Sequence, residues 1–159
     1  MVNIKLLAVG KIKESFLKEE INEYLKRLTK YCKISICEVE DERIKDNASI
    51  KDEENVKIIE GKRILKAINS KDFVLLIDLH GQEMDSLEFS EQFLKIINKN
   101  SSLCVVIAGS LGFSVEVIKR ANFRLSLSKL TFTHQMVRAI VLEQIYRSFK
   151  IINHETYHK

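Results

Sequence analysis

The sequence predicts an α/β fold, a mostly parallel β-sheet flanked by helices. Short apolar runs alternate five times with longer stretches of helical spacing, the signature of successive β-then-α units joined by right-handed crossovers. Two of the runs, Phe73 to Leu79 and Leu103 to Ala108, are almost continuously apolar, as strands covered on both faces of a parallel sheet must be. The units differ in length, which argues against a solenoid of equal repeats. At 159 residues, 45% of them apolar, one domain spanning residues 1–159 is expected to bury roughly two thirds of the surface its unfolded chain exposes.

Each element has its own justification. Ile4 to Val9 reads as a strand closed by Gly10. From Ser15 to Lys30, the residues Leu17, Ile21, Tyr24, Leu25 and Leu28 share one helical face. Lys33 to Val39 is a second strand, with Ile34 and Ile36 on one side. Glu40 to Lys51 is charged and aperiodic, an exposed loop about as long as a compact domain tolerates without a use for it. A second helix runs from Asp52 to Ile68 despite Gly61. The strand Phe73 to Leu79 is stopped by His80-Gly81, and Asp85 with Glu88 forms a capping pair for a helix reaching Asn100. Leu103 to Ala108 ends in Gly109-Ser110-Leu111-Gly112, and Ser114 caps a short helix to Ala121. Arg124 to Leu127 is a fifth, shorter strand. Thr133 caps the last helix, whose residues Met136, Val137, Ile140, Val141, Ile145, Phe149 and Ile152 form one broad apolar face. That face is wider than packing on one side of a sheet requires, and it predicts a homodimer.

Composition and charge narrow the function. The longest apolar run has six residues, Leu103 to Ala108, far short of the roughly 18 needed to span a bilayer. Lys5 interrupts the apolar stretch at the N-terminus and no small-residue cleavage site follows, so a cytoplasmic location is expected. Cys32, Cys37 and Cys104 lack CxxC spacing and sit in or beside apolar segments, where reduced thiols pack as small hydrophobes. The net charge of +4 is uneven: residues 73–118 carry two basic against six acidic side chains, residues 119–159 eight against two. Three of the four histidines also fall in that last quarter, a clustering that suits a phosphate-bearing partner.

In open α/β sheets ligands bind beyond the carboxyl ends of the strands, which directs attention to the turns at Gly10, His80-Gly81, Gly109 to Gly112 and Ser128 to Thr133. Neither a GxGxxG nor a Walker A loop is present. Gly109 and Gly112 would let a ligand approach the backbone and meet free amides. His134, at a helix start, is a base, a phosphate contact or a cap. Arg138 lies on an otherwise apolar face, so it either pairs internally or faces a ligand. His154 and His158 have helical spacing for two metal ligands but lack a convincing third, and no metal site is expected. The terminal Tyr157-His158-Lys159 is either a frayed end or a functional tail.

The start KLLAVGKIK, the strand end IDLHG, the turn IAGSLGFS, and above all LSLSKLTFTHQMVRAIVLEQIYRSFKI with the terminal YHK resemble the RlmH family of SPOUT methyltransferases over the whole chain. The resemblance implies S-adenosylmethionine-dependent methylation of N3 of a pseudouridine in bacterial large-subunit ribosomal RNA, free or in the assembled ribosome. It also implies a homodimer and a C-terminal trefoil knot. Carried over by position, the cofactor pocket comprises Ile77, Ala108, Gly109, Leu127, Ser128, Lys129, Leu130, Thr131 and Phe132. Arg138, Arg147 and Lys159 would hold RNA, and His158, Tyr157 and His134 are the candidates for the base. The family usually has a second glycine at Ala108, a polar residue at Leu111 and a proline at Thr133. A non-enzymatic ribosome-associated RNA-binding protein, or an α/β nucleotide-binding or redox protein, would share parts of this pattern.

Overall fold

The computed structural model describes residues 1–159, in the order β1 (Asn3–Val9), α1 (Ser15–Leu28), β2 (Lys33–Val39), α2 (Ile50–Ala67), β3 (Phe73–Glu83), α3 (Ser86–Lys99), β4 (Ser102–Ile107), α4 (Val115–Arg120), β5 (Phe123–Ser126) and α5 (His134–Ile152). The five strands form one parallel sheet in the order β2-β1-β4-β3-β5.

Alternation along the strands divides the interior in two. Ile4, Leu6 and Ala8 of β1, Leu75 of β3, and Leu103, Val105 and Ile107 of β4 point to the face covered by α1, α3 and α5. Their neighbours Leu7, Val9, Val74, Leu76, Cys104 and Val106 point to the other face, where Ile64 of α2 and Val117 of α4 cover them. Both faces are buried, which is why these strands read as apolar runs and not as alternating ones. No helix is long and apolar enough to cross a membrane. Burial pushes the thiols of Cys32 and Cys104 up to about 12, so both stay protonated and behave as core residues.

Several boundaries shift by one or two residues from the sequence expectation, and two differences have a clear physical cause. α2 starts at Ile50, not Asp52, because Ser49 and Asp52 form a reciprocal capping box: Ser49 Oγ accepts from the Asp52 amide, and Asp52 accepts from the Ser49 amide. The capping pair Asp85/Glu88 and the caps Ser114 and Thr133 stand where the sequence placed them.

The larger correction is β3, which His80-Gly81 does not stop. Asp78 to Gly81 loop out, and the strand re-pairs with β5 through Gln82–Leu125 and Glu83–Ser126. Gly81 makes the return possible, since a Cβ there would lie 2.7 Å from the backbone carbon and oxygen of Arg124. The glycine therefore permits a close approach where it was expected to end a strand. Asp78 fixes the outward loop by accepting from the His80 amide (3.0 Å) and from Arg124 (3.1 Å).

Candidate active site

The loops at the carboxyl ends of β3, β4 and β5 enclose a pocket of about 450 Å³. Three segments form most of its wall: Ile77 to His80 from the looped-out part of β3, Ile107 to Phe113 after β4, and Leu127 to Phe132 after β5. His134 and Val137 close it from the first turn of α5, and Lys57 reaches it from α2. Of the nine residues expected around a cofactor, Lys129 alone does not line it; its side chain is at the exposed tip of the last turn. Sequence reasoning missed Lys57, Asp78, Arg124 and Val137. Arg124 and Asp78 became wall residues only through the β3 loop, which no local pattern announces.

The wall is largely backbone. Gly112 has φ +87°, the left-handed region, and its amide donates to the Gly109 carbonyl (3.2 Å), which tightens the turn. The amides of Ser110, Leu111, Thr131 and Phe132 donate to no group of the chain. Ser128 Oγ accepts from the Leu130 amide, and the Ser126 hydroxyl donates to the Ser128 carbonyl, so the last turn is braced by its own serines. Ala108 packs against the core under α2 and α4 while also lining the pocket. Thr133, where the family has proline, accepts from the Met136 amide (3.3 Å) as a helix cap.

α2 supports this wall from behind. Gly61 is needed because a Cβ would lie 2.3 Å from Ser114 Oγ, so α2 can press against the start of α4 only with glycine there. Next to it Glu60, 5% exposed, accepts from the Glu42 amide through Oε2 (2.9 Å). Its carboxylate sits behind Gly109: a Cβ on that residue would come within 2.9 Å of Oε1 and 3.3 Å of Oε2. Burial raises the proton affinity of Glu60, opposed by the Glu42 amide.

The candidate catalytic and RNA-binding residues separate into three places. His134 is in the pocket wall, and burial followed by the charge of Arg138 holds its imidazole below the usual range, hence neutral at pH 7. Arg138 takes the internal one of its two expected roles. Its side chain is 2% exposed, pairs with Glu38, and donates to the Gly10 carbonyl (2.7 Å), tying the β1–α1 turn to α5. A phosphate contact from it is thereby corrected, since the guanidinium is beneath the surface with its Nε unpaired.

The tail residues are elsewhere. The Tyr157 hydroxyl donates to Glu143 (2.9 Å), while Arg147 donates to Glu143 (2.6 Å) and lies 3.0 Å from His158 Nδ1. Because arginine only donates, Nδ1 is the acceptor in this contact. The tail is therefore docked, not frayed. Burial, and then hydrogen bonds with Tyr24 and Glu143, push the Tyr157 hydroxyl well above its ordinary value, which disfavours it as a base near neutrality. Lys159 ends the chain, exposed.

A parallel α/β sheet with a backbone-lined pocket at the carboxyl ends of its strands is the build of an enzyme that holds a small cofactor. The chain belongs to the SPOUT methyltransferase family: the model described as "Predicted SPOUT methyltransferase" matches residues 2–158. It is 52% identical to a Clostridium botulinum (strain 657 / Type Ba4) protein named "Ribosomal RNA large subunit methyltransferase H", over 99% of this chain and 100% of the relative. A Clostridium kluyveri protein of the same name is 47% identical over the same shares.

Proposed function

We propose that this protein transfers the methyl group of S-adenosylmethionine to N3 of a pseudouridine in large-subunit ribosomal RNA, in the cytoplasm, as a homodimer. The observation that carries the cofactor part is the backbone-built pocket: about 450 Å³ falls within the range of small-molecule sites. Its apolar residues Ile77, Ile107 and Leu127 suit an adenine ring, and the free amides of Ser110, Leu111, Thr131 and Phe132 suit the acceptors of the nucleoside and the methionine carboxylate. A pocket of this kind favours an enzyme over a non-enzymatic RNA-binding protein. The relatives named for large-subunit rRNA methylation support the substrate class.

Bound S-adenosylmethionine would supply a methyl already activated by the sulfonium, so the chain has to align the nitrogen with the S–CH₃ bond and accept its proton. His134, neutral and in the wall, is placed to take that proton within one chain. His158 and Arg147 cannot reach the same pocket from their own chain, since 13 helical residues from His134 to Arg147 span roughly 20 Å.

A second copy removes this difficulty. Met136, Ile140, Glu143 and Arg147 recur at i, i+4, i+7 and i+11, so the apolar half and the tail-docking half of α5 form one stripe. Met136 and Phe132 are exposed at its pocket end together with Leu130, 71% exposed, and a groove beside Phe132 and Ile140 continues the apolar surface. Two-fold antiparallel packing of this stripe would set the His158–Arg147 cluster of one copy at the pocket rim of the other. In that arrangement Arg147 and Lys159 hold phosphates and His158 faces the target base. The test is mass spectrometry of large-subunit rRNA incubated with the protein and S-adenosylmethionine: one added methyl on a pseudouridine is expected. Transfer to another nucleotide, or none to rRNA in any assembly state, would overturn the reading.

A further inference from the structure

Glu60 lies behind the pocket wall and takes no part in aligning the methyl group or accepting the proton. Glu60 is 5% exposed, and only its Oε2 has a partner, the Glu42 amide. Oε1 takes part in no hydrogen bond or ion pair and keeps a small accessible area. No basic side chain pairs with the group: the charge of Arg63 acts on it from nearby, but Arg63 donates to Glu42 (2.7 Å) and to the Glu40 carbonyl (3.1 Å), and Lys57, one turn earlier on α2, is paired with Glu54 (2.8 Å). Asp41 and Glu42 add further negative charge around it. Burial disfavours a carboxylate that has no ion-pair partner, and a positive charge brought close to it offsets that penalty. The place where that charge can come is fixed by Gly109, because the carboxylate lies directly behind the Gly109 backbone and the pocket lies in front of it.

Resting on the methyltransferase reading, we propose that Glu60 is a specificity-determining residue: its carboxylate, acting through the Gly109 turn, favours a cationic ligand in the pocket over a neutral one. The methyl donor carries a sulfonium and a net positive charge. The product S-adenosylhomocysteine has a neutral thioether and no net charge. Shape and hydrogen bonds hardly differ between the two, so a fixed charge behind the wall is the means by which this fold can hold the donor and release the product. One unit charge acting across on the order of 10 Å of protein with an effective dielectric of about 20 is worth on the order of tenfold. The charge never touches the reacting atoms, so Glu60 is a positioning residue. Glutamine at this position would keep the oxygen that accepts from Glu42 and remove only the charge.

The experiment is isothermal titration of the full-length protein and of Glu60→Gln with S-adenosylmethionine, with S-adenosylhomocysteine, and with sinefungin, which carries an amine where the donor has its sulfonium. Glu60→Gln should weaken the two cationic ligands about tenfold and S-adenosylhomocysteine less than twofold, and Glu60→Asp should restore most of the difference. Equal weakening of all three would make the role merely structural and overturn the proposal, as would no change in any. If Glu60→Gln does not fold, Glu60→Met takes its place with the same expectation, and equal affinities of the unaltered protein for all three ligands overturn the proposal in either case. Failure of the unaltered protein to bind any of the three would instead remove the methyltransferase reading, and this inference with it.

Discussion

At the N-terminal end of α5 the functional groups are backbone amides in two loops, with few charges among them; at its C-terminal end they are side chains locked to one another. The pocket end depends on where the chain runs, so it is sensitive to a single added carbon. The tail end depends on ionisation and hydrogen bonding, through Glu143, Arg147, Tyr157 and His158 and, at the base of the tail, through Glu155 with Lys150 and Tyr31. Two kinds of construction on one helix imply two kinds of vulnerability, and each can be tested separately.

Gly109→Val should have the largest effect at the pocket end. Its added carbons meet Glu60 and Val9, and the turn must shift. We expect S-adenosylmethionine affinity to fall at least about a hundredfold while circular dichroism stays that of a folded α/β protein. Calorimetry showing unchanged affinity in the folded variant would remove this turn from the site.

Next in size is Glu38→Ala, which leaves the Arg138 guanidinium buried without its carboxylate. Removing one partner of a buried pair costs about 3 kcal/mol or more, and Glu38 is itself partly exposed, so the lower end of that range is expected in urea denaturation. A loss under about 0.5 kcal/mol would mean that water replaces Glu38 at no cost. The smallest effect concerns pH at the tail. Lys150, and then Tyr31, hold the Glu155 carboxyl down at about 2 against an ordinary 4.5. Its contribution to tail docking is thus complete above about pH 4.5 and lost as the pH falls towards 2. The ring resonances of Tyr31 should report that loss by NMR in the unaltered protein and lack it in Glu155→Gln; identical titrations would contradict the assignment.

The contrast between the two ends also explains what the sequence could and could not reveal. The strand cores and the caps at Asp85, Ser114 and Thr133 were legible because their signals are local: periodicity, and a short polar side chain before a helix. Eight of the nine expected pocket residues line it, since position after a strand suffices to place backbone. Where a side chain's role depends on what another segment brings to it, sequence was insufficient. Arg138 meets Glu38, a hundred residues away, and its position on an apolar stripe allowed burial or ligand contact equally. Gly81 reads as a stop, and only the approach of β5 shows it to be a return. Glu60 follows three acids at 52–54 in a charged helix, and nothing local separates it from a solvated one. The mid-helix Gly61 was the nearest available signal, because it marks a surface where another element comes close.

The central claim is that a pocket and a tail from different copies make one site. It is tested most directly by mixing two defective chains, one lacking Tyr157 to Lys159 and one carrying Gly109→Val, after unfolding and refolding together. Each alone should be slowed about a hundredfold or more in single-turnover methyl transfer to rRNA, the first for want of the tail groups and the second for want of cofactor. An equal mixture should recover roughly a quarter of the unaltered rate, because half of the dimers are mixed and each holds one complete site. Recovery near that value is what the account predicts; a mixture no more active than its parts would contradict it.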